Sequence, residues 1–218
     1  AEIMGMELDA IRVVPSACGG GFGSKLDVSF QPYVALAAWL LGRSARICYS
    51  RSESMRASTK RHPSDIRLTV GCDETGRISG FVFDGIFNTG AYASWGPTVA
   101  NRVPIHASGP YATKDYRANS IAVHTNAPPA GAFRGFGVPQ SAVAQECAFD
   151  LLAEKLGMDR LAFRRLNALK NGSPTVTGQV FNSGVGIDDC FAALEDSWQT
   201  AVASAASFNQ TAISDDSP

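Results

Sequence analysis

Residues 18–25 read Cys-Gly-Gly-Gly-Phe-Gly-Ser-Lys, which places four glycines in the five positions 19–23, ahead of an apolar stretch. Glycine loses more backbone freedom on folding than any other residue, so such a cluster marks a place where bare backbone is needed. Upstream, AIRVVP at 10–15 predicts a short strand. Downstream, YVALAAWLL at 33–41 is apolar nearly all round and is followed by Gly42, which predicts a buried helix with a glycine stop. Three ligand readings compete for the loop. A Walker A phosphate loop needs glycine before the lysine and Ser or Thr after it, whereas Ser24 precedes Lys25 and Leu26 follows. A dinucleotide fingerprint puts Ser24 or Leu26 at its third glycine, and Leu26 is too large for close helix–strand packing. The third reading is a loop whose amides approach a ligand closely, with a helix start behind it. The stretch by itself does not separate that reading from a glycine-rich tight turn.

A second loop shifts the balance. Residues 130–137, AGAFRGFG, hold Arg134 among glycines with Phe133 and Phe136 beside it. A guanidinium fork suits phosphate or an oxyanion, and aromatic rings suit a flat ligand. Two such loops suggest one pocket lined by amides, arginines and phenylalanines.

Composition narrows the class. The chain has 218 residues, 45% apolar and 18% charged, with a net charge of −1. That describes a globular chain and points to neither nucleic acid nor a membrane surface. No apolar run reaches membrane-span length, and AEIMGMELDAIRVV lacks the features of a signal peptide. Cysteines at 18, 48, 72, 147 and 190 are odd in number and form no CxxC, so reduced thiols in a cytoplasmic protein are the simplest expectation. Cys48 and Cys147 lie in apolar patterns and are expected in the core. His62, His106 and His124 have no ligand-like spacing and are expected to be structural; no metal ligand set is expected.

Further along, Ala1–Met6 reads as the end of a helix. The basic run Arg43–Arg67 reads first as a solvated face or exposed loop, with a phosphate or partner contact as the sharper alternative. Residues 65–72 and 77–87 alternate like strands around the turn Asp73–Gly76 and predict an antiparallel hairpin. Residues 88–110 read as irregular, and 120–125 as a strand. From Pro139 a helix is predicted with Ala144, Cys147, Ala148, Leu151, Leu152 and Leu156 on its buried face, stopped by Gly157. Asp159 is placed to cap a shorter helix, 171–186 reads as loop, and 188–201 as a last helix. The fold class is therefore α+β, with mixed or antiparallel strands and packed helices. Four segments are expected: 1–64 (glycine loop and buried helix), 65–137 (hairpin and second loop), 138–201 (helical) and 202–218 (polar tail). The chain opens without Met and stops at SDDSP, and both ends read as cuts in a longer polypeptide.

GGGFGSK at 19–25, NTGAY at 88–92 and AFRGFGVPQ at 132–140, in that order, together with ECAFDLLAEKLGMDRLAFRRLNALKNG at 146–172, resemble the molybdenum-cofactor subunit of the xanthine dehydrogenase/aldehyde oxidase family, the molybdenum hydroxylases. The resemblance covers essentially the whole chain and implies part of a molybdopterin-binding domain. It implies molybdenum held by the pterin dithiolene rather than by side chains, the pterin being with or without a cytosine dinucleotide. It implies hydroxylation of an aldehyde or N-heteroaromatic carbon with water as oxygen source. Electrons would leave through iron–sulfur and FAD groups on partner subunits or domains, in a homo-oligomer.

By the same resemblance, Gly21, Phe22 and Gly23 would lie against the cofactor, with Ala132, Phe133 and Arg134 as the facing loop. Phe136 would stack on substrate. Arg102 would steady charge developing on it. Leu26 stands where purine-specific members carry a glutamate that hydrogen-bonds the substrate ring, which argues against xanthine. The family's catalytic glutamate, in a Gly-x-Gly-Glu context, has no counterpart in this sequence, and Glu146, Glu154 and Glu195 sit in helix patterns. The family's glutamine-containing cofactor loop has no counterpart either. The chain is thus expected to be about a third of a subunit, inactive by itself. A non-catalytic binding or assembly module that keeps the fold is the alternative, and a nucleotide-phosphate enzyme is disfavoured by the failed Walker pattern.

Overall fold

The computed structural model describes residues 1–214. Its elements are α1 (Gln31–Leu41), α2 (Arg51–Ala57), β1 (Ser64–Cys72), β2 (Ile78–Gly90), α3 (Gly96–His106), β3 (Asp115–His124), α4 (Val138–Leu156), α5 (Arg160–Asn167) and α6 (Ile187–Ser214), preceded by 3₁₀ turns at Glu2–Met4 and Leu8–Ala10. This is the expected α+β class. The strands form one sheet in the order β1-β2-β3. The Asp73 N–H donates to the Arg77 carbonyl at one end of β1/β2, and the Asn88 N–H to the Pro63 carbonyl at the other, so these two strands are the predicted antiparallel hairpin. Thr125 N–H donates to the Gly90 carbonyl, while Gly80 lies beside the Asp115 carbonyl. Both strands therefore advance ten residues in the same sense, β2 and β3 are parallel, and the sheet is mixed.

Several local expectations are corrected. Residues 11–15 form no strand: Val13 and Val14 are exposed, and an extended segment without a ladder partner is not a strand. The expected helix end over 1–6 is the short 3₁₀ turn Glu2–Met4, closed by Gly5 in the left-handed region. The buried helix forms as α1, with Gly42 at φ 61° as its stop, but none of its residues is buried, and Trp39 and Leu40 are 62% and 70% exposed. Apolar composition predicted the helix; burial depends on what packs against it, here the Glu2–Met4 turn. Inside the stretch read as irregular lies α3, whose Val99, Ala100 and Val103 are buried at helical spacing around the distracting Pro104. The buried stripe of α4 is Ser141, Gln145, Phe149 and Ala153 rather than the face that includes Cys147 and Leu151. All five cysteines are free thiols, and Cys48 and Cys147 are exposed, not core. The last helix runs on to Ser214, since no Gly or Pro follows Gly186 until Pro218.

The chain divides into two compact units: 1–67, 84–104 and 119–141 form the first, and 68–83, 105–118 and 142–218 the second. The first is centred on Phe87, Thr89, Val99, Val103 and Ala132. The second is centred on Phe81, Phe83, Phe149 and Phe163, with Phe149 edge-on to both Tyr111 and Phe163. There Asp159 caps α5 by accepting from Ala162 N–H at 2.8 Å, as expected. Arg164 bonds Glu146 and Asp150, each at 2.8 Å, and Asn167 accepts from Ile78 N–H and donates to the Gly76 carbonyl, both at 2.9 Å.

Candidate functional site

Both glycine loops belong to the first unit, and they touch. Gly23, at φ 99°, lies so close to the second loop that a Cβ there would stand 2.7 Å from the Ala132 carbonyl oxygen and 3.0 Å from Phe133 Cα. No other residue fits the gap, which answers why glycine stands there. The loops share a local device. Phe22 lies between Gly21 and Gly23, Phe136 between Gly135 and Gly137, and both phenylalanines have positive φ, 52° and 49°. A bulky residue in that region is strained and persists only where its surroundings hold it.

Arginines lie against both rings. The Arg134 guanidinium lies 5.9 Å from the Phe22 ring centre, so the second loop reaches over the first. Arg102, projected from α3, lies 5.7 Å from the Phe136 ring, whose edge also meets Trp95 at 6.3 Å. Arg61 lies 4.6 Å from the Phe133 ring. Such pairs are worth about 0.5–1 kcal/mol each at exposed sites. α3 supports the second loop from below: a Cβ at Gly137 would stand 2.6 Å from Val103 Cγ2.

The NTGAY segment acts as the frame of the second loop. Thr89, fully buried, directs its hydroxyl to the Ala93 and Ala130 carbonyls, and its own carbonyl accepts from Ala130 N–H at 3.0 Å. Asp27, one residue beyond Leu26, accepts from Ser94 Oγ at 2.8 Å beside Gly131. The first loop has its own clasp, in which Lys25 Nζ donates to Cys18 Sγ at 3.0 Å. That ammonium, with backbone hydrogen bonding at Gly20, draws the Cys18 thiol below its ordinary range.

All the residues singled out from sequence are thereby located. Gly21, Phe22, Gly23, Ala132, Phe133, Arg134, Phe136 and Arg102 fall on the joined loops and the adjoining helix, and the Leu26 side chain is exposed at 61%. Phe22 is 62% exposed and Arg134 is exposed, so the joined loops present an open wall. A surface cavity of about 590 Å³ lies among second-unit residues such as Thr69, Gly80 and Tyr116 and includes none of the loop residues. Among the described residues no group of three or more His, Cys, Asp or Glu is placed to hold a metal ion, and no helix is long and apolar enough to cross a membrane.

Sequence reading gave no role to Arg61, and none individually to Thr89 and Gln140, which it held only within the motifs at 88–92 and 132–140. Arg61 was absorbed in the basic run read as solvent-facing. Instead Lys60 Nζ donates to the Ser54 and Ser58 carbonyls at the end of α2, and Arg61 turns to the second loop. His62 is buried, with Nε2 unpartnered, and burial, reinforced by neighbouring Arg61, lowers its pKa.

An open wall of amides, arginines and aromatic rings suits a flat, anionic group. Residues 1–168 match the family described as molybdopterin cofactor-binding domain. The chain is 40% identical over 187 residues to the nicotinate dehydrogenase large molybdopterin subunit of Eubacterium barkeri, covering 86% of this chain and 44% of that protein. It is 41% identical over 170 residues to a probable xanthine dehydrogenase subunit of Bacillus subtilis, covering 78% of this chain and 23% of that one. The solved aldehyde oxidoreductase of Desulfovibrio gigas superposes with a TM-score of 0.82 at 31% identity, over 87% of this chain and 21% of that one. The chain thus spans less than half the length of these relatives.

Proposed function

We propose, from the premise that this chain belongs to the molybdopterin cofactor-binding domain family of xanthine dehydrogenase and aldehyde oxidoreductase large subunits, that its two glycine loops form one wall of a molybdenum hydroxylase site. The observation that carries the reading is the seating of Gly23 against the Ala132–Phe133 backbone, which joins both loops into one surface. The residues fit the group. Gly21 and Gly23 offer backbone without side chains, Arg134 a fork for oxyanions, and Phe22 a flat apolar face. Bound there, molybdopterin supplies the redox chemistry that hydroxylates a carbon with water as the oxygen source.

The chain's own residues bind and orient. Gly21, Phe22, Gly23, Ala132, Phe133 and Arg134 hold the cofactor. Phe136 stacks on substrate, and Arg102, across the Phe136 ring, steadies negative charge that develops on it. Leu26 offers no hydrogen bond, so the substrate is an aldehyde or an N-heteroaromatic other than xanthine. The nicotinate dehydrogenase and aldehyde oxidoreductase relatives support both classes. Electrons pass to iron–sulfur and flavin partners in a cytoplasmic homo-oligomer.

These 218 residues alone do not turn over substrate. Glu146 is bonded to Arg164 and Tyr111, and Glu195 to Arg165, so neither is poised as a base. Molybdenum analysis with pterin fluorescence after oxidation tests the reading on the purified protein that carries this chain. Stoichiometric molybdenum and pterin are expected, both falling in Gly23→Val. Full retention by that variant, or no pterin in the wild type, overturns it.

A further inference from the structure

The segment Thr59–His62 lies outside both loops, yet each of its residues engages the second loop or its support. The Thr59 methyl packs under Gly131. Lys60 forms a parallel bridge with Ala130: its N–H donates to the Pro129 carbonyl at 3.1 Å, and its carbonyl accepts from Gly131 N–H at 3.0 Å. The bridge sets the register that brings Arg61 to the loop. One guanidinium nitrogen of Arg61 donates to the Arg134 carbonyl at 2.6 Å, and the other to Gln140 Oε1 at 3.3 Å. Its carbon lies 4.6 Å from the centre of the Phe133 ring. Gln140 Nε2 returns to the His62 carbonyl at 3.2 Å and closes a ring of contacts through 61, 134, 140 and 62.

We infer that Arg61 is a positioning residue for the second loop. It fixes the peptide group from which Arg134 springs, and through it the guanidinium that lies over Phe22. The inference rests on the reading of the loops as a cofactor wall. Arg61 does not itself face the first loop; it acts through Arg134. The chemistry requires arginine. Its planar fork satisfies two diverging acceptors while its flat face rests on an aromatic ring, whereas a lysine ammonium is a point donor and cannot do all three. The partners are local to one side of the loop. Removing the fork therefore frees residues 132–138 and leaves α5, whose cap and ion pairs lie among second-unit residues, unaffected.

Hydrogen–deuterium exchange on the purified protein that carries this chain reads this directly. The Phe136 and Val138 amides report on the loop, because they bond the Phe133 and Gly135 carbonyls at 2.7 and 3.0 Å. In Arg61→Lys these amides are expected to exchange about ten-fold faster or more, the scale of one lost charge-assisted hydrogen bond. Amides of α5 should keep the wild-type rate, and retained pterin should fall. Gln140→Met keeps the bond to Arg134 and should show a smaller change in the same direction, which preserves the test if Arg61→Lys does not fold. Unchanged loop exchange in both variants overturns the inference. So does an equal rise in α5, which would make Arg61 a general stabiliser, or faster loop exchange with pterin retention intact. A wild-type protein that holds no pterin overturns the cofactor reading instead, and the exchange comparison still decides whether Arg61 orders the loop.

Discussion

Residue by residue, the site is built from backbone that side chains would spoil and side chains that neighbours restrain. Gly23 shows the first. With φ 99° and the Ala132 carbonyl where a Cβ would go, Gly23→Ala should cost roughly 1–3 kcal/mol, read as a lower denaturant midpoint with unchanged slope. Cys18 shows the second. The Lys25 ammonium lowers its pKa, so it should be alkylated by iodoacetamide faster at neutral pH than Cys48, and Lys25→Gln should remove that advantage. Equal rates for the two thiols would contradict the clasp. His62 sets a pH dependence. Burial lowers its folded pKa, so the unfolded chain binds the proton better. Its contribution is complete above the ordinary value of 6.5 and is lost as pH falls through the folded value. Stability should therefore fall more steeply below pH 6.5 in the wild type than in His62→Gln. The glycine clusters and the arginine-bearing loop were legible from residue types alone. The roles of Arg61 and of Thr89 within NTGAY were not, because they lie in contacts with residues distant in the chain, 73 positions away for Arg61 and 41 for Thr89.

Among elements, the stops at Gly42 and Gly157 and the Asp159 cap were readable, whereas α2, inside the run expected as a solvated face or exposed loop, was not. Ser50 and Glu53 form a reciprocal capping box on α2, with Glu53 N–H to Ser50 Oγ at 3.2 Å and Ser50 N–H to Glu53 Oε2 at 2.8 Å. Gly42 and Gly157 both take left-handed φ at helix ends. Asp159 serves two helices: one oxygen caps α5, and the other accepts from Trp198 Nε1 at 2.7 Å on α6. Asp159→Ala should cost about 1–2 kcal/mol and lower the melting temperature, whereas Asp159→Asn, which keeps an acceptor, should recover part of it. Faces were less readable than ends. α4 buries Gln145 and Phe149 and leaves Cys147 and Leu151 outside, although the second pair is the more apolar by sequence pattern. A helical stripe identifies residues that share a side. It does not say which side meets a neighbour, and the surroundings of Phe149, Tyr111 and Phe163, decide that.

At the scale of the whole chain, α1 is the conspicuous feature. Tyr33, Trp39, Leu40 and Leu41 are each more than half exposed, a concentration of apolar surface that water disfavours. In dilute buffer these 218 residues should associate as concentration rises, and Trp39→Glu with Leu40→Glu should suppress this. Sedimentation velocity would show it, and a monomer independent of concentration would argue that α1 is not the cause. The family match runs over residues 1–168, which take in both glycine loops as well as α4 and α5.

From sequence alone, this protein's class, its two glycine loops, the hairpin, the stops at Gly42 and Gly157 and the Asp159 cap were already determined. These depend on local chemistry: the freedom of glycine, alternation along a strand, and hydrogen bonds within a few residues. Only the tertiary structure decided that the loops meet at Gly23, that β3 runs parallel to β2, that α3 forms around Pro104, and that Arg61 holds the second loop rather than facing solvent. Each of these is a contact between residues distant in the chain. Its energy comes from packing and pairing that no local pattern encodes.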